Sequence, residues 1–335
     1  MFADTTEDTS GLTTDRGIAP VPDRYDPWVE VIPANLAHNA AALRQLGGSP
    51  ILAVIKNHGY GLDYRVVARV LEPRPEIEGF ALVRADEALT LREQGVRKPI
   101  LLMARVTDAM MKDLVAHDIT LAVYADDDPS RLARLVVGKP APVHAYIDTG
   151  MSRMGIRYDR AMSFLRSIAG TPRCRLTGTF MTFREDAEFD REQLSRFQGL
   201  TRDATAAGIT LGKLHAASSH SIFHHRDVGL DLLRPGMSLY GGYPDKFDEE
   251  RTVAELRPAF RLRARRADGS AATRRQRELR PRVHRDEADV DRDDPVRSRR
   301  RLRAYSGQGR EGARWCASVS GDWRREREPF DHRGG

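Results

Sequence analysis

The sequence predicts an α/β fold, a (β/α)8 barrel of the TIM type, and three observations carry that reading. Eight short apolar runs recur between residues 51 and 240 at spacings of about 20–35 residues. Amphipathic stretches with helical spacing lie between most of them. The runs are rich in Val, Ile and Leu without polar alternation, the pattern of strands covered on both faces in a parallel sheet. A doubly wound open sheet shows the same alternation, and the count of eight favours the barrel.

The elements follow in order. Residues 1–26 are rich in Asp, Thr, Gly and Pro and lack apolar periodicity, so a disordered N-terminal segment is expected. Trp28–Ile32 alternates like a strand, and Asn35–Leu46 has helical apolar spacing. The barrel-strand candidates are Ile51–Ile55, Gly79–Val83, Pro99–Met103, Leu121–Tyr124, Val143–Ile147, Leu176–Phe180, Leu211–His215 and Met237–Tyr240. Helical patterns include Tyr64–Leu71, Ala85–Glu93, Ala161–Ala169 and Glu192–Ala207. The expected divisions are a barrel over 27–245, a remnant of a C-terminal β domain over 246–263, in which Val253–Arg263 reads as one strand, and an Arg-rich, disordered tail over 264–335.

Composition separates that tail from the body. Residues 261–335 hold 22 Arg, no Lys and 13 Asp plus Glu, while Leu, Ile, Val, Met and Phe supply only eight positions. Too few apolar side chains remain there to offset the entropy of ordering. The chain's formal charge of +6 therefore belongs to the tail, and the body is net acidic. Nucleic-acid binding read from the overall charge would be a mistake, since the tail interleaves acids and almost no aromatics. An Arg-rich segment without Lys is what out-of-frame reading of a GC-rich gene yields, and a frame shift near residue 263 is favoured over a tail that evolved as such.

No run approaches the roughly 18 apolar residues of a membrane span, and no secretory signal is read at the N-terminus. Cys174 and Cys316 are too few for a disulfide framework or a Cys-based zinc cage. A cytoplasmic location is expected. His220, His224 and His225 place two imidazoles at i, i+4, but no carboxylate or Cys near them in sequence completes a metal site, so the reading is a polar helix face and no metal. Met110 and Met111 read as helix packing.

The chemistry concentrates in four segments. Ala53-Val-Ile-Lys56-Asn-His-Gly-Tyr60-Gly61 closes an apolar strand with a Lys, where a barrel delivers side chains to its catalytic face. Partial burial there would lower the amine's pKa and free it for Schiff-base chemistry. The others are Asp148-Thr-Gly-Met-Ser-Arg153-Met-Gly155, His215-Ala-Ala-Ser-Ser219 and Arg234-Pro-Gly236-Met-Ser-Leu-Tyr240-Gly241. Together, and in this order, they resemble the motifs of the alanine racemase family, with its pyridoxal-phosphate lysine followed four residues later by Tyr and Gly. The resemblance implies pyridoxal 5'-phosphate as cofactor, an isomerase acting on alanine, D-alanine destined for peptidoglycan, and a homodimer.

It also implies roles. Lys56 would hold the cofactor and carry protons on one face of the substrate α-carbon. Tyr60, Ser219 and the backbone N–H groups of Gly236 and Met237 would bind its phosphate. Arg153 would face the cofactor's phenolic oxygen and the substrate carboxylate, and Arg234 would donate to the pyridine nitrogen. An Arg holds its proton near neutrality and leaves that nitrogen unprotonated, which weakens the electron sink and suppresses side reactions.

The chain departs from the family pattern at Ser218, commonly Asn, at Thr182, often His, and at Tyr146, where some members carry a carbamylated Lys. Racemisation also needs an acid/base on the opposite face of the α-carbon. In the family this is a Tyr of the C-terminal β domain, within a G-Y-x-D-G-type motif. The one Tyr after Tyr243 here is Tyr305, in a segment that does not match. The alternatives left open are a broader amino-acid racemase, a cofactor-binding barrel without racemase activity, and a nucleic-acid-binding protein acting through the basic tail.

Overall fold

The computed structural model describes residues 28–225, 230–244, 251, 253–265 and 271–273. The segment 1–26, nearly all of the 264–335 tail, and Tyr305 lie outside the described residues.

The chain opens with β1 (Trp28–Val31) and α1 (Pro33–Gly47), whose Pro at its start fits a position where a missing N–H costs nothing. Strand β2 (Ile51–Val54), the one-turn element α2 (Lys56–Tyr60) and α3 (Tyr64–Leu71) follow. Then come β3 (Ile77–Leu82), α4 (Ala85–Glu93), β4 (Ile100–Leu102), α5 (Asp108–Ala116), β5 (Thr120–Val123) and α6 (Asp128–Leu135). Strand β6 (Ala141–Asp148), the short β7 (Ile156–Arg157), α7 (Tyr158–Ala169), β8 (Cys174–Phe180), α8 (Ala187–Ala206), β9 (Lys213–His215) and α9 (Ser219–His224) complete the series. Two strands beyond it, β10 (Phe260–Arg265) and β11 (Ala271–Thr273), pair antiparallel with each other, and β10 pairs antiparallel with β1.

The main sheet runs β2-β3-β4-β5-β6-β8-β9, every pair parallel, with spatial order equal to chain order. A doubly wound sheet reverses direction at a switch point, and this one does not. Parallel bridges from His215 to Leu232 and from Leu233 to Ile51 join the last strand to the first. The amide of Leu52 donates to the Leu233 carbonyl at 2.8 Å and that of Val54 to Pro235 at 3.0 Å, so the sheet closes into the expected barrel.

The eighth strand is not where the pattern put it. Leu232 and Leu233 make the closing bridges, and Met237–Tyr240 is a 3-10 turn capped by left-handed Gly241. Four apolar-rich residues cannot separate a short strand from a short helix by periodicity. The strand expected over Val253–Arg263 is confined to its end, Phe260 onward, because Pro258 and the preceding residues run irregularly. Helix α8 starts five residues before the expected Glu192, capped by the Asp186 carboxylate accepting from the Phe189 amide.

Alternation along the strands sorts side chains into two layers. Leu52, Val54, Ala81, Leu101, Ala122, Tyr146, Phe180 and Leu232 fill the barrel interior. Ala53, Ile55, Phe80, Leu82, Val143, Ala145 and Ile147 face the helices and join the larger core. Burial of that second layer is what holds the helices down, at roughly 1.5–3 kcal/mol for each large side chain. Met111 is buried in it, whereas Met110 is exposed, so one of the two methionines packs. Among the described residues no helix is long and apolar enough to cross a membrane.

Candidate active site at the C-terminal end of the barrel

Lys56 follows β2 directly, and the backbone turns sharply after it. Asn57, His58, Gly59 and Tyr60 all have φ between 54° and 62°, a single left-handed turn. Such geometry costs a non-glycine residue about 1–2 kcal/mol, least for Asn and His among the types used here. The turn is held by the Gly59 amide donating to the Ile55 carbonyl at 3.1 Å and by the His58 amide donating to the buried Glu87 carboxylate at 2.9 Å. It brings the Tyr60 side chain to Gly236 and Tyr240, beyond the closing strand. Burial, and then the charge of Arg153, lowers the Lys56 pKa from its ordinary value, so more of the amine is available as free base.

Part of the Tyr60 ring is exposed, but its hydroxyl lies against Gly236, and a Cβ built there would overlap that oxygen. Burial of this end pushes the phenol up to about 12. The Tyr60 ring packs on Tyr240 with centroids 5.1 Å apart. The Tyr240 hydroxyl is buried and has no hydrogen-bond partner among the described residues. The Ser219 hydroxyl accepts from the amides of Gly236 at 3.1 Å and Ser238 at 3.2 Å. Met237 begins the 3-10 turn with its side chain exposed. Tyr60, Ser219, Gly236 and Met237 thus form one cradle, built from the turn after β2 and the segments after β9 and the closing strand, the end of a barrel often used to hold phosphate.

Arg234, two residues before Gly236, is buried. It donates to Nδ1 and the carbonyl of His215 at 2.8 and 2.9 Å, and to the Met181 carbonyl at 2.8 Å, with its guanidinium 5.0 Å from the Phe180 ring centroid. Burial lowers its pKa to about 10, which leaves it charged near neutrality. Arg153 is exposed and makes no hydrogen bond or ion pair among the described residues. Its charge is felt at both Lys56 and Arg234. The loop presenting it is shaped by Asp148, whose carboxylate accepts from the amides of Gly150 and Ser152, both at 3.0 Å. Gly155, at φ 113°, passes so close to Asp148 that a Cβ would stand 2.7 Å from its amide nitrogen.

Sequence reading missed what lies behind Arg234. Because Arg234 donates to His215 Nδ1, His215 must carry its proton on Nε2. Nε2 then donates to Nδ1 of His144 at 2.9 Å, and His144 carries its own proton on Nε2 in turn. Burial, then the charge of Arg234, holds both imidazoles neutral, His144 down to about 3 and His215 well below the ordinary histidine value. A directed chain of donors therefore runs from Arg234 through the barrel interior to a cavity lined by Glu78, His144 and Lys213 near the strands' N-terminal ends. The signal was present in part, as His144 lies on the inward face of β6 opposite Gly178, where a Cβ would stand 2.6 Å from its ring. Thr182 and Tyr146, two of the departures noted above, meet each other, with the Tyr146 hydroxyl donating to Thr182 Oγ1 at 3.0 Å.

The sequence model described as "Alanine racemase, N-terminal domain" matches residues 31–244. "Alanine racemase 1" of Caldanaerobacter subterraneus is 31% identical over 246 residues, covering 71% of this chain and 63% of its own length. "Alanine racemase 1" of Oceanobacillus iheyensis is 32% identical over 236 residues, covering 67% and 62%. This chain thus spans less than two thirds of the length of these curated relatives. The solved alanine racemase of Clostridium difficile 630, in complex with cycloserine, superposes with a TM-score of 0.67 at 27% identity, over 71% of this chain and 67% of that one. With the match extending from β1 through the closing strand and the 3-10 turn, the chain belongs to the alanine racemase N-terminal domain family.

Proposed function

We propose that this chain is a pyridoxal 5'-phosphate-dependent racemase that interconverts L- and D-alanine. The observation that carries the reading is the convergence of a half-buried Lys56 amine, lowered in pKa, with the Tyr60–Ser219–Gly236 cradle at one end of the barrel. The residues fit the cofactor. Gly236, lacking a Cβ, lets the Tyr60 hydroxyl close against the cradle's backbone, and the Tyr240 hydroxyl is a buried polar atom with no partner among the described residues. When bound, pyridoxal phosphate supplies the electron sink that makes a substrate Cα–H acidic.

Lys56 would hold the cofactor's carbonyl carbon and carry the proton on one face of the substrate. Arg153, an exposed cation without an ion-pair partner among the described residues, would orient the substrate carboxylate. Arg234, held by hydrogen bonds to His215 and Met181 and kept cationic, would present an N–H to the pyridine nitrogen and could not surrender its proton to it. The division into a cofactor barrel over 27–245, a remnant of a C-terminal β domain over 246–263 and an Arg-rich tail from 264 belongs to the same reading, although β10 pairs with β1 and, with β11, continues past residue 263. Dimerisation, a cytoplasmic location and supply of D-alanine for peptidoglycan follow from the same reading.

Borohydride reduction of the purified chain incubated with pyridoxal phosphate tests it. The expected result is one pyridoxyl adduct, located at Lys56 by peptide mass mapping and lost in Lys56→Ala. Attachment elsewhere, or none, would overturn the reading. A coupled assay for D-alanine then separates racemase from cofactor carrier. The second reading, a cofactor-binding barrel without racemase activity, rests on the opposite-face Tyr: Tyr305 is the one candidate beyond Tyr243, and its sequence context does not match.

A further inference from the structure

A second cluster lies outside the cradle. The two imidazoles His220 and His225 sit on and just after α9, and the carboxylate that sequence reading found wanting arrives from α8. Asp190, 35 residues upstream of His225, comes up beside them, and one ligand atom from each of Asp190, His220 and His225 lies within 4.8 Å of the others. Sequence proximity could not show this, because 30 residues of chain separate Asp190 from His220.

We propose that Asp190, His220 and His225 form a binding site for a divalent transition ion of the zinc class. Two imidazoles and one carboxylate are the donor set such ions take, with a fourth position left to water, whereas calcium and magnesium prefer all-oxygen shells. Nε2 of His225 stands 2.9 Å from Oδ2 of Asp190, a separation bridged by a proton. Ligands at about 2.1 Å from a tetrahedral ion stand roughly 3.4 Å apart. The ion would therefore replace that hydrogen bond with side-chain shifts of about an ångström, the His225 proton passing from Nε2 to Nδ1 so that Nε2 can ligate.

The carboxylate is already aimed. Asp190 is 1% exposed, and its Oδ1 accepts from the Glu185 amide at 3.1 Å, an outer hydrogen bond of the kind that orients metal ligands. The neighbouring His224 packs on His220 with ring centroids 4.3 Å apart, yet it is not part of the cluster. His220 directly follows Ser219 of the cradle, so an ion here ties that segment to α8.

Titration of the purified full chain with cobalt(II), followed by its visible ligand-field bands and competed with zinc, tests the site. One cobalt per chain with four-coordinate bands is expected, and His225→Ala and Asp190→Asn should each weaken binding at least about tenfold. Asp190 is buried, so His220→Asn, at a less buried position, provides a second variant should Asp190→Asn fail to fold. His224→Ala should leave affinity unchanged. Absence of stoichiometric cobalt binding, or affinity retained in His220→Asn and His225→Ala, overturns the proposal.

Discussion

Gly236 and Tyr60 are the most informative residues in the cradle, because the space one lacks is the space the other fills. Gly236→Ala should force the Tyr60 hydroxyl away at a cost of roughly 1–3 kcal/mol, or between about fivefold and a hundredfold in pyridoxal phosphate affinity. Tyr60→Phe removes the oxygen that the new methyl overlaps. The double variant should therefore bind more tightly than the two single losses predict, and strict additivity in fluorescence titrations would argue that the residues do not meet. The His215–His144 pair makes a second prediction at this scale. Both imidazoles should appear as neutral Nε2–H tautomers in nitrogen-15 spectra from pH 5 to 8, and an Nδ1–H tautomer at His215 would contradict the donor direction set by Arg234. The lysine was legible because strand-end position and residue type coincide. The histidine chain was not, since its members come from β6 and β9 and are adjacent only once the sheet closes.

The left-handed turn of α2 is the element on which the site depends. Its sequence, Asn57-His58-Gly59, uses residues that tolerate positive φ, so a signal existed, but an apolar-periodicity reading does not look for it. Gly59 combines φ 62° with a close approach, as a Cβ would stand 2.8 Å from the Tyr64 amide nitrogen. Gly59→Ala should destabilise the chain by about 2–5 kcal/mol, the sum of a left-handed strain and an overlap. Asn57→Ala should cost no more than about 1–2 kcal/mol, because only the backbone term applies there. Urea unfolding of both variants measures the difference, and equal losses would mean that the packing against α3 is loose. Helices α3 and α4 were legible to the residue because their apolar stripes meet the sheet directly. The closing strand was not, since two bridging leucines followed by Arg-Pro-Gly offer no period at all.

At the scale of the whole molecule, the barrel was visible in the sequence because each strand is buried by local pattern alone, whereas its polar interior was invisible because burial of charge and imidazole leaves no periodic trace. That interior sets how the fold responds to acid. His144 titrates at about 3 in the folded chain, lowered by burial and by the charges of Arg234 and Lys213, and His215 is lowered in the same direction. An unfolded chain takes up these protons near pH 6.5, so below that point it binds protons that the folded chain refuses. The contribution of each neutral histidine to stability is therefore present in full above about pH 6.5 and is lost as pH falls toward 3, at about 1.4 kcal/mol per pH unit. Between pH 6.5 and 5 His144 alone should withdraw about 2 kcal/mol, an appreciable part of the stability of a typical domain, and His215 adds a loss of the same sign. Calorimetric or urea unfolding across that interval should show stability falling with acid. His144→Gln, which keeps an amide in place of the ring without titrating, should make the fall shallower. A stability profile flat from pH 7 to 5 would mean that the two imidazoles are already solvated or charged in the folded barrel, and the donor chain behind Arg234 would then have to run differently.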